Sequence, residues 1–237
     1  MGQTITTIGF DADDTLWHNE TFFKLSQDRF AQLLADYSEL DDLGSRLYDA
    51  EVRNLRHYGY GVKGFTLSMI ETAIEVTDAK VPSRLIGELV DMGRDMLDHP
   101  IDLLPGAMDA VTELTGDFQL VLITKGDLLH QERKLAQSGL GDHFHGVEIV
   151  SEKTPQTYVD AFGRHGTGPK NALMVGNSMK SDILPALEAG SWGVFVPHDL
   201  EWDHESATAP DNHHRFREIP SLHDLCDLLP ALPLGGK

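Results

Sequence analysis

Three carboxylate side chains directly follow an apolar segment near the N-terminus. Residues 5–17 read ITTIGFDADDTLW, in which a β-branched run predicts a strand and Asp11, Asp13 and Asp14 come at its end. Because the side chains of an extended chain alternate between two faces, Asp11 and Asp13 are expected to point the same way. Two neighbouring carboxylates raise each other's pKa, and a divalent cation is the usual way to offset their charge. The pattern predicts a cation-assisted chemical site at the carboxyl end of a strand.

Two other interpretations of this acidic segment can be compared with the sequence. An EF-hand calcium loop that began at Asp11 would need Gly at its sixth position and Glu at its twelfth. The chain has Leu16 and Phe22 at those positions, which argues against such a loop. A solvated acidic turn without a ligand is the alternative that stays open.

The composition limits the class of protein and its partners. With 237 residues the chain can form one large domain or a core with a smaller insert. Lys and Arg number 19 against 38 Asp and Glu, and the formal net charge of −19 argues against nucleic acid or an anionic membrane as partner. The single Cys226 excludes an intrachain disulfide and a multi-cysteine zinc site. Without a signal sequence or an apolar run near ~20 residues, we expect a soluble cytoplasmic protein, a monomer or homodimer.

Helical and strand patterns follow one another in an informative order. After Trp17, apolar residues recur at three- and four-residue steps and predict helices at about 22–37, 43–55, 65–76 and 83–97. Strands are then predicted at 119–124, 146–150, 172–176 and 192–196, with helical segments between them. This order indicates an α/β fold, a Rossmann-like parallel sheet core with an inserted all-helical cap. We predict a catalytic core domain of residues 1–16 and 100–237, a cap domain of residues 17–99, and a disordered tail at 230–237.

The acidic segment resembles the first motif of the haloacid dehalogenase-like (HAD) superfamily, a hydrophobic strand followed by Asp-x-Asp-x-Thr. Asp11, Asp13 and Thr15 match this motif position for position. Asp14 stands where Gly is common, and Asp adopts unusual φ angles less freely than Gly does. One large branch of the superfamily carries a helical cap directly after this motif, which fits the predicted insert.

The ends of the later strands resemble the other three motifs of the superfamily. Thr124 closes the 119–124 strand at the position of the second-motif Ser or Thr, and Lys153 resembles the third-motif Lys. Lys170 also lies near a strand, but at the opposite edge of the sheet, and is the alternative to Lys153. The segment VGNSMKSDI at 175–183 resembles the fourth motif, with Asn177 in place of its first Asp and Asp182 as its second.

The resemblance implies a role for each matched residue. Asp11 would be the nucleophile that forms an aspartyl-phosphate, and Asp13 would be the acid for the leaving group and then the base for water. Thr124 and Lys153 would hold the phosphoryl oxygens. Thr15 and Lys125 are our candidates for substrate binding. The implied cofactor is Mg²⁺, and its implied ligands are Asp11, the carbonyl oxygen of Asp13, and Asn177 or Asp182.

A cationic and aromatic segment at 53–65, RNLRHYGYGVKGF, interrupts the helical pattern of the insert. Its three glycines predict a loop between two cap helices, and its basic residues reverse the sign of a strongly acidic chain. Arg56 and Tyr60 are our candidates for contacts with the leaving group of an anionic or ring-bearing substrate. The alternative is an exposed basic loop that pairs with neighbouring acids.

The sequence as a whole, with its resemblance, predicts a Mg²⁺-dependent phosphatase that hydrolyses a small-molecule phosphate ester. A 2-haloacid dehalogenase of the same superfamily is one alternative, which Asp13 disfavours and Asn177 keeps open. A sugar phosphomutase and a catalytically idle binding module are the others. The expected partner is a small phosphate monoester, without nucleic acid or membrane.

Overall fold

A computed structural model describes residues 4–200 and 202–232 of the protein. Its central element is a sheet of six parallel strands: β1 (Thr7–Phe10), β2 (Gln119–Lys125), β3 (Gly146–Val150), β4 (Ala172–Gly176), β5 (Trp192–Phe195) and β6 (Phe216–Glu218). The strand order is β3-β2-β1-β4-β5-β6, a doubly wound arrangement in which β1 is central. This confirms the predicted α/β class and the four strands predicted after residue 100.

Five helices lie between β1 and β2: α1 (Glu20–Leu33), α2 (Leu40–Tyr58), α3 (Val62–Val76), α4 (Ser83–Leu97) and α5 (Ala107–Leu114). The predicted helical insertion between the first two strands is therefore confirmed. The remaining α-helices are α6 (Leu128–Ser138), α7 (Pro155–His165), α8 (Leu184–Glu188) and α9 (Leu225–Leu228), and a π-helical turn spans Met179–Ile183. No helix among residues 4–200 and 202–232 has the length and apolar composition required to cross a bilayer.

The chain forms two compact units, each with its own core. The α/β unit comprises residues up to Glu20, Ile101–Lys125 and residues from Gln131 onwards. Alternate residues of its central strands face two buried clusters, since Ile8 and Phe10 pack in one and Val121 and Ile123 pack in the other. Apolar side chains on both faces are what a parallel sheet covered by helices requires.

The helical unit comprises Thr21–Pro100 together with Gly126–His130. Its core is built from one apolar face of each of the helices α1–α4 and contains Phe30, Leu47, Met69 and Leu89, all nearly fully buried. The spacing of these residues at helical intervals is the signal that predicted the helices.

The structure differs from the sequence predictions in three places. The segment 53–65 is not a loop: α2 continues to Tyr58, α3 begins at Val62, and only residues 59–61 connect them. Gly59 and Gly61 have φ angles of +70° and +107°, so the glycines serve a three-residue turn rather than a longer loop. Strand β6 was not predicted, because three residues with two charges carry no strand pattern. In the predicted disordered tail, Leu229–Ala231 forms a 3₁₀ turn, and residues 233–237 lie outside the described residues.

Asp14 shows how the chain accommodates a non-glycine residue after β1. Its φ angle is +60°, in the left-handed region that Asp enters more readily than most residues. Its Oδ1 atom accepts hydrogen bonds from the backbone N–H groups of Asn19 at 2.8 Å and Glu20 at 3.0 Å. The Asp14 carboxylate therefore caps the start of α1, which a glycine at this position could not do.

Candidate active site

The parallel sheet brings the matched residues to one edge. Asp11 follows β1, Thr124 lies near the end of β2, Lys153 follows β3, and Asn177 follows β4. Because β1 pairs with both β2 and β4, the carboxyl ends of three adjacent strands meet beside Asp11. The carboxyl edge of a doubly wound sheet is where such folds bind their ligands.

Two buried carboxylates share one lysine at this edge. Lys153 Nζ donates to Asp182 Oδ1 at 2.6 Å and also contacts Asp11 Oδ1. The side chains of Lys153 and Asp182 are 2% and 0% exposed, so the ammonium lies in a medium that screens charge weakly. Burial and the nearby Asp182 raise the pKa of Asp11 to about 7, although Lys153 lowers it. Burial lowers the pKa of Lys153, but its two carboxylate partners raise this pKa by a larger amount, so the ammonium stays charged.

Local backbone structure fixes both partners of Asp11. Lys153 directly precedes Thr154, which caps α7: Thr154 Oγ1 accepts from the Thr157 N–H at 3.2 Å, and Pro155 begins the helix. Asp182 lies in the π-helical turn, and its Oδ2 accepts from the Ser178 N–H at 2.9 Å. Turns of this type recur at functional sites.

Gly176 explains how Asp182 comes so close to the end of β4. A Cβ atom at Gly176 would lie 2.3 Å from Asp182 Oδ2, which no side chain could tolerate without displacing the carboxylate. The glycine of the fourth motif is therefore required for the position of Asp182 rather than for an unusual φ angle.

Three oxygen-bearing groups converge on the other side of Asp11. Thr15 Oγ1 lies 3.2 Å from Asp11 Oδ2 and 3.1 Å from the Asn177 side-chain oxygen, and it accepts from the Asn177 N–H. The outer end of the Asn177 amide lies 3.2 Å from both Asp11 Oδ2 and the carbonyl oxygen of Asp13. If the amide nitrogen points outward, it donates to Asp11 Oδ2 and to the Asp13 carbonyl oxygen. If the amide oxygen points outward, it faces these two oxygens.

This donor set fits Mg²⁺. Oxygen ligands at about 2.1 Å in an octahedron lie about 3.0 Å apart, close to the separations seen here. The set contains a carboxylate, a backbone carbonyl and an amide, and no cluster of three His, Cys, Asp or Glu side chains suited to a metal occurs among residues 4–200 and 202–232. Asp182 differs from the other predicted ligands, because both of its oxygens accept hydrogen bonds, from Lys153 and from the Ser178 N–H.

Asp13 has a different environment from Asp11. Its Oδ1 accepts from Trp17 Nε1 at 2.6 Å and Lys134 Nζ at 2.8 Å, and its Oδ2 accepts from Gln131 Nε2 at 3.0 Å. Burial alone would raise the pKa of Asp13, but the charge of Lys134 and the three hydrogen bonds lower it below the ordinary value. Two carboxyl groups only two residues apart are thus held with pKa values shifted in opposite directions.

Similarity to known proteins extends over most of this chain. A family model of haloacid dehalogenase-like hydrolases matches residues 5–190. The chain belongs to this family. The helical insertion between β1 and β2 is consistent with the helical cap of one HAD branch, so the resemblance found in the sequence is confirmed.

Three relatives illustrate the range of similarity. A HAD-like family hydrolase from Xanthomonas campestris is 42% identical, with a TM-score of 0.86 over 98% of this chain and 93% of the other. The glyceraldehyde 3-phosphate phosphatase of Methanopyrus kandleri is 24% identical over 214 residues, which cover 87% of this chain and 90% of the relative. The HAD hydrolase YfnB from Bacillus subtilis, in a structure bound to magnesium, is 18% identical with a TM-score of 0.68 and covers 96% of this chain and 99% of that one. It shares the fold.

The residues predicted for substrate binding occupy different settings in this HAD hydrolase. Thr15 lies beside Asp11, as described above. Lys125 Nζ donates to Ser181 Oγ at 2.8 Å and to Glu205 Oε1 at 2.6 Å, so its ammonium is engaged by a carboxylate of the same unit. Arg56 and Tyr60 belong to the helical unit, where Arg56 Nε donates to His57 Nε2 at 3.1 Å. Their part in recognition stays a prediction.

Sequence reasoning missed Gln131 and Lys134, the two α6 residues that hold Asp13. A signal for them exists in the helix pattern. Positions 131, 134, 135 and 138 share one face of α6 and are all buried, yet 131 and 134 carry strongly polar side chains. Polar residues on the buried face of a helix that follows the second-motif strand are candidates for a site at that strand's end.

Proposed function

We propose that this HAD hydrolase is a Mg²⁺-dependent phosphatase that hydrolyses a small-molecule phosphate monoester through an aspartyl-phosphate. The observation that carries the proposal is the pair Asp11 and Asp13 at the end of β1. Asp11 contacts the ammonium of Lys153. Asp13, two residues further along the chain, accepts hydrogen bonds from three donors. In the proposed reaction Asp11 attacks and Asp13 transfers a proton.

The reaction divides between these two side chains. Because its donors keep the Asp13 carboxylate ionised in the free protein, the proton that Asp13 passes on is one that the phosphate ester brings in its monoanionic form. Asp11 Oδ attacks phosphorus, and the bond from phosphorus to the leaving oxygen breaks as Asp13 passes this proton to that oxygen. A water molecule then attacks phosphorus and loses its proton to Asp13, which releases phosphate and restores the Asp11 carboxylate. Charge on the phosphoryl oxygens is met by Lys153 Nζ and Thr124 Oγ1, the latter buried at the end of β2.

Asp11 Oδ2, the carbonyl oxygen of Asp13 and the side-chain oxygen of Asn177 would hold the Mg²⁺. When bound, the cation offsets the negative charge that the Asp11 carboxylate and the phosphate bring together. HAD enzymes typically depend on magnesium, and YfnB, which has the same fold, bound it. In this arrangement Asp182 acts through Lys153, because it accepts a hydrogen bond from the Lys153 ammonium at 2.6 Å.

The dehalogenase alternative is less well supported than the phosphatase. HAD dehalogenases need no second carboxylate in the first motif, whereas three donors fix the Asp13 carboxylate here. Similarity over most of the chain to a glyceraldehyde 3-phosphate phosphatase also favours phosphoryl chemistry. For the leaving group, we propose that residues 17–99 act as the cap and that Arg56 and Tyr60 contribute to its recognition.

The test is hydrolysis of 4-nitrophenyl phosphate with Mg²⁺ and with EDTA, by the wild type, Asp11→Asn and a matched control, Asp117→Asn, at an exposed position after α5. We expect Asp11→Asn to lose at least about 1,000-fold in kcat, since the nucleophile is gone. The wild type should form an acid-stable phosphoenzyme, detected by mass, and Asp117→Asn should match it. Near-normal turnover by Asp11→Asn would refute the covalent mechanism, and full activity after exhaustive chelation would remove the metal from it.

A further inference from the structure

The α6 residues that surround Asp13 form a buried polar group, which we call the Asp13 cradle: Gln131 and Lys134, with Trp17 of the first motif. Gln131 and Lys134 are three positions apart, so their side chains leave α6 on the same face. Both are buried, at 3% and 8% exposure. A buried amide and a buried ammonium on one helix face require specific partners, and in both cases a partner is Asp13.

Gln131 contacts both Asp13, which transfers the proton in the proposed reaction, and Thr124, which binds the phosphoryl oxygens. Its Nε2 has two hydrogens and lies within hydrogen-bond distance of three acceptors: Asp13 Oδ2 at 3.0 Å, Thr124 Oγ1 at 2.9 Å and the Lys125 carbonyl oxygen at 2.7 Å. These contacts fix the amide with its Oε1 atom buried and without a hydrogen-bond partner among the described residues. An unpaired buried acceptor is destabilising, so packing alone does not explain a glutamine at this position.

Lys134 fixes the other oxygen of the same carboxylate. Its Nζ donates to Asp13 Oδ1 at 2.8 Å and to Asn19 Oδ1 at 2.8 Å. Trp17 Nε1 donates to the same Asp13 oxygen at 2.6 Å. With donors on both oxygens from two separate segments of the chain, the carboxylate has one orientation rather than several.

We propose that Gln131 and Lys134 are positioning residues that orient the Asp13 carboxylate for proton transfer to the leaving oxygen. This inference rests on the proposed function. In the step concerned, the bond from Asp11 Oδ to phosphorus forms and the bond from phosphorus to the leaving oxygen breaks. The proton that Asp13 has taken from the monoanionic ester moves to that oxygen. An alkoxide leaving group needs this proton far more than a nitrophenolate does, so a loose Asp13 slows alkyl phosphates selectively.

The experiment uses Gln131→Leu and Lys134→Met, with Gln137→Leu on the exposed face of α6 and Lys80→Met at an exposed position of the helical unit as matched controls. First-turnover rates are measured on 4-nitrophenyl phosphate and on glycerol phosphate, together with KM and the thermal midpoint. We expect each cradle variant to lose about 10- to 100-fold on glycerol phosphate and less than about 3-fold on the aryl ester, with KM nearly unchanged. Gln131→Leu removes one unpaired acceptor but also the donor to Asp13 Oδ2 and the Lys125 carbonyl, so its thermal midpoint is measured to separate loss of stability from loss of positioning.

A second measurement separates positioning from folding. In an Asp13→Asn background, adding Lys134→Met should cause little further loss on either ester, because the group that Lys134 orients no longer transfers a proton. Equal losses on both esters, or fully additive losses in the double variant, would overturn the inference while leaving the proposed function intact. A wild type that hydrolyses neither ester would overturn the proposed function and the positioning role with it.

Discussion

Glu51 in α2 provides a quantitative test of the electrostatics of the helical unit. Its Oε1 atom is buried and has no hydrogen-bond partner among the described residues. Burial raises the pKa of Glu51 from 4.5 to about 8, although a hydrogen bond with Gln27 lowers it somewhat. The side chain is therefore neutral in the folded protein at pH 7 and charged in the unfolded chain.

The sign of the pH dependence follows from these two pKa values. Between pH 4.5 and 8 the folded state binds one more proton at Glu51 than the unfolded state does, so stability falls as the pH rises. A shift of one pKa unit corresponds to about 1.4 kcal/mol, which gives a loss of up to about 3 kcal/mol at pH 7. We take about 1 to 3 kcal/mol as the expected range, because water reaches part of this side chain.

Glu51→Gln keeps the shape of the side chain and removes its ionisation. We expect this variant to match the wild type at pH 5 and to have a higher thermal midpoint at pH 8, by several degrees for a chain of this size. Differential scanning calorimetry from pH 5 to 9 measures the difference. Glu39→Gln, at an exposed position before the same helix, is the control and should leave the pH dependence unchanged. Parallel curves for the wild type and Glu51→Gln would refute the reasoning.

Two further predictions concern ligands. Asn177→Asp adds a carboxylate beside Asp11 Oδ2 and the Asp13 carbonyl, so isothermal titration should show Mg²⁺ binding at least as tight as in the wild type; weaker binding would place Asn177 outside the ligand set. Arg56→Ala and Tyr60→Ala should each raise KM for the preferred substrate, found by a phosphatase screen, and leave KM for a small generic phosphate nearly unchanged. Equal effects on both substrates would exclude these two residues from recognition.

The strand-end residues could be predicted because each depends on a local pattern. An apolar run fixes a strand, and the residue that follows it must lie at the carboxyl edge of a parallel sheet. Asp11, Thr124 and Lys153 were located in this way, and the structure places them at that edge. Their order along the chain resembles that of the family motifs, and the comparison confirmed the family.

Other features depend on contacts that no local pattern contains. The pairing of Lys125 with Glu205 joins residues that are 80 positions apart, through a segment without regular periodicity. The hydrogen bond from Lys134 to Asp13 joins residues 121 positions apart, and it depends on which face of α6 turns towards β1. Gly59 and Gly61 led to the prediction of a long loop. A sequence shows where a helix can end, but it does not show how short the connecting turn is.

The opposite pKa shifts of Asp11 and Asp13 connect the fold to the proposed chemistry. Burial raises the pKa of Asp11, and the Asp182 carboxylate, which shares the single charge of Lys153 with it, raises it further, to about 7. A cation held by Asp11 Oδ2 and its neighbouring oxygens would offset the charge of these carboxylates and restore an ionised nucleophile. Asp13 needs no such help, because α6 and Trp17 supply its donors. The dependence on Mg²⁺ should therefore act through Asp11 and the dependence on leaving group through Asp13, two effects that kinetics can separate.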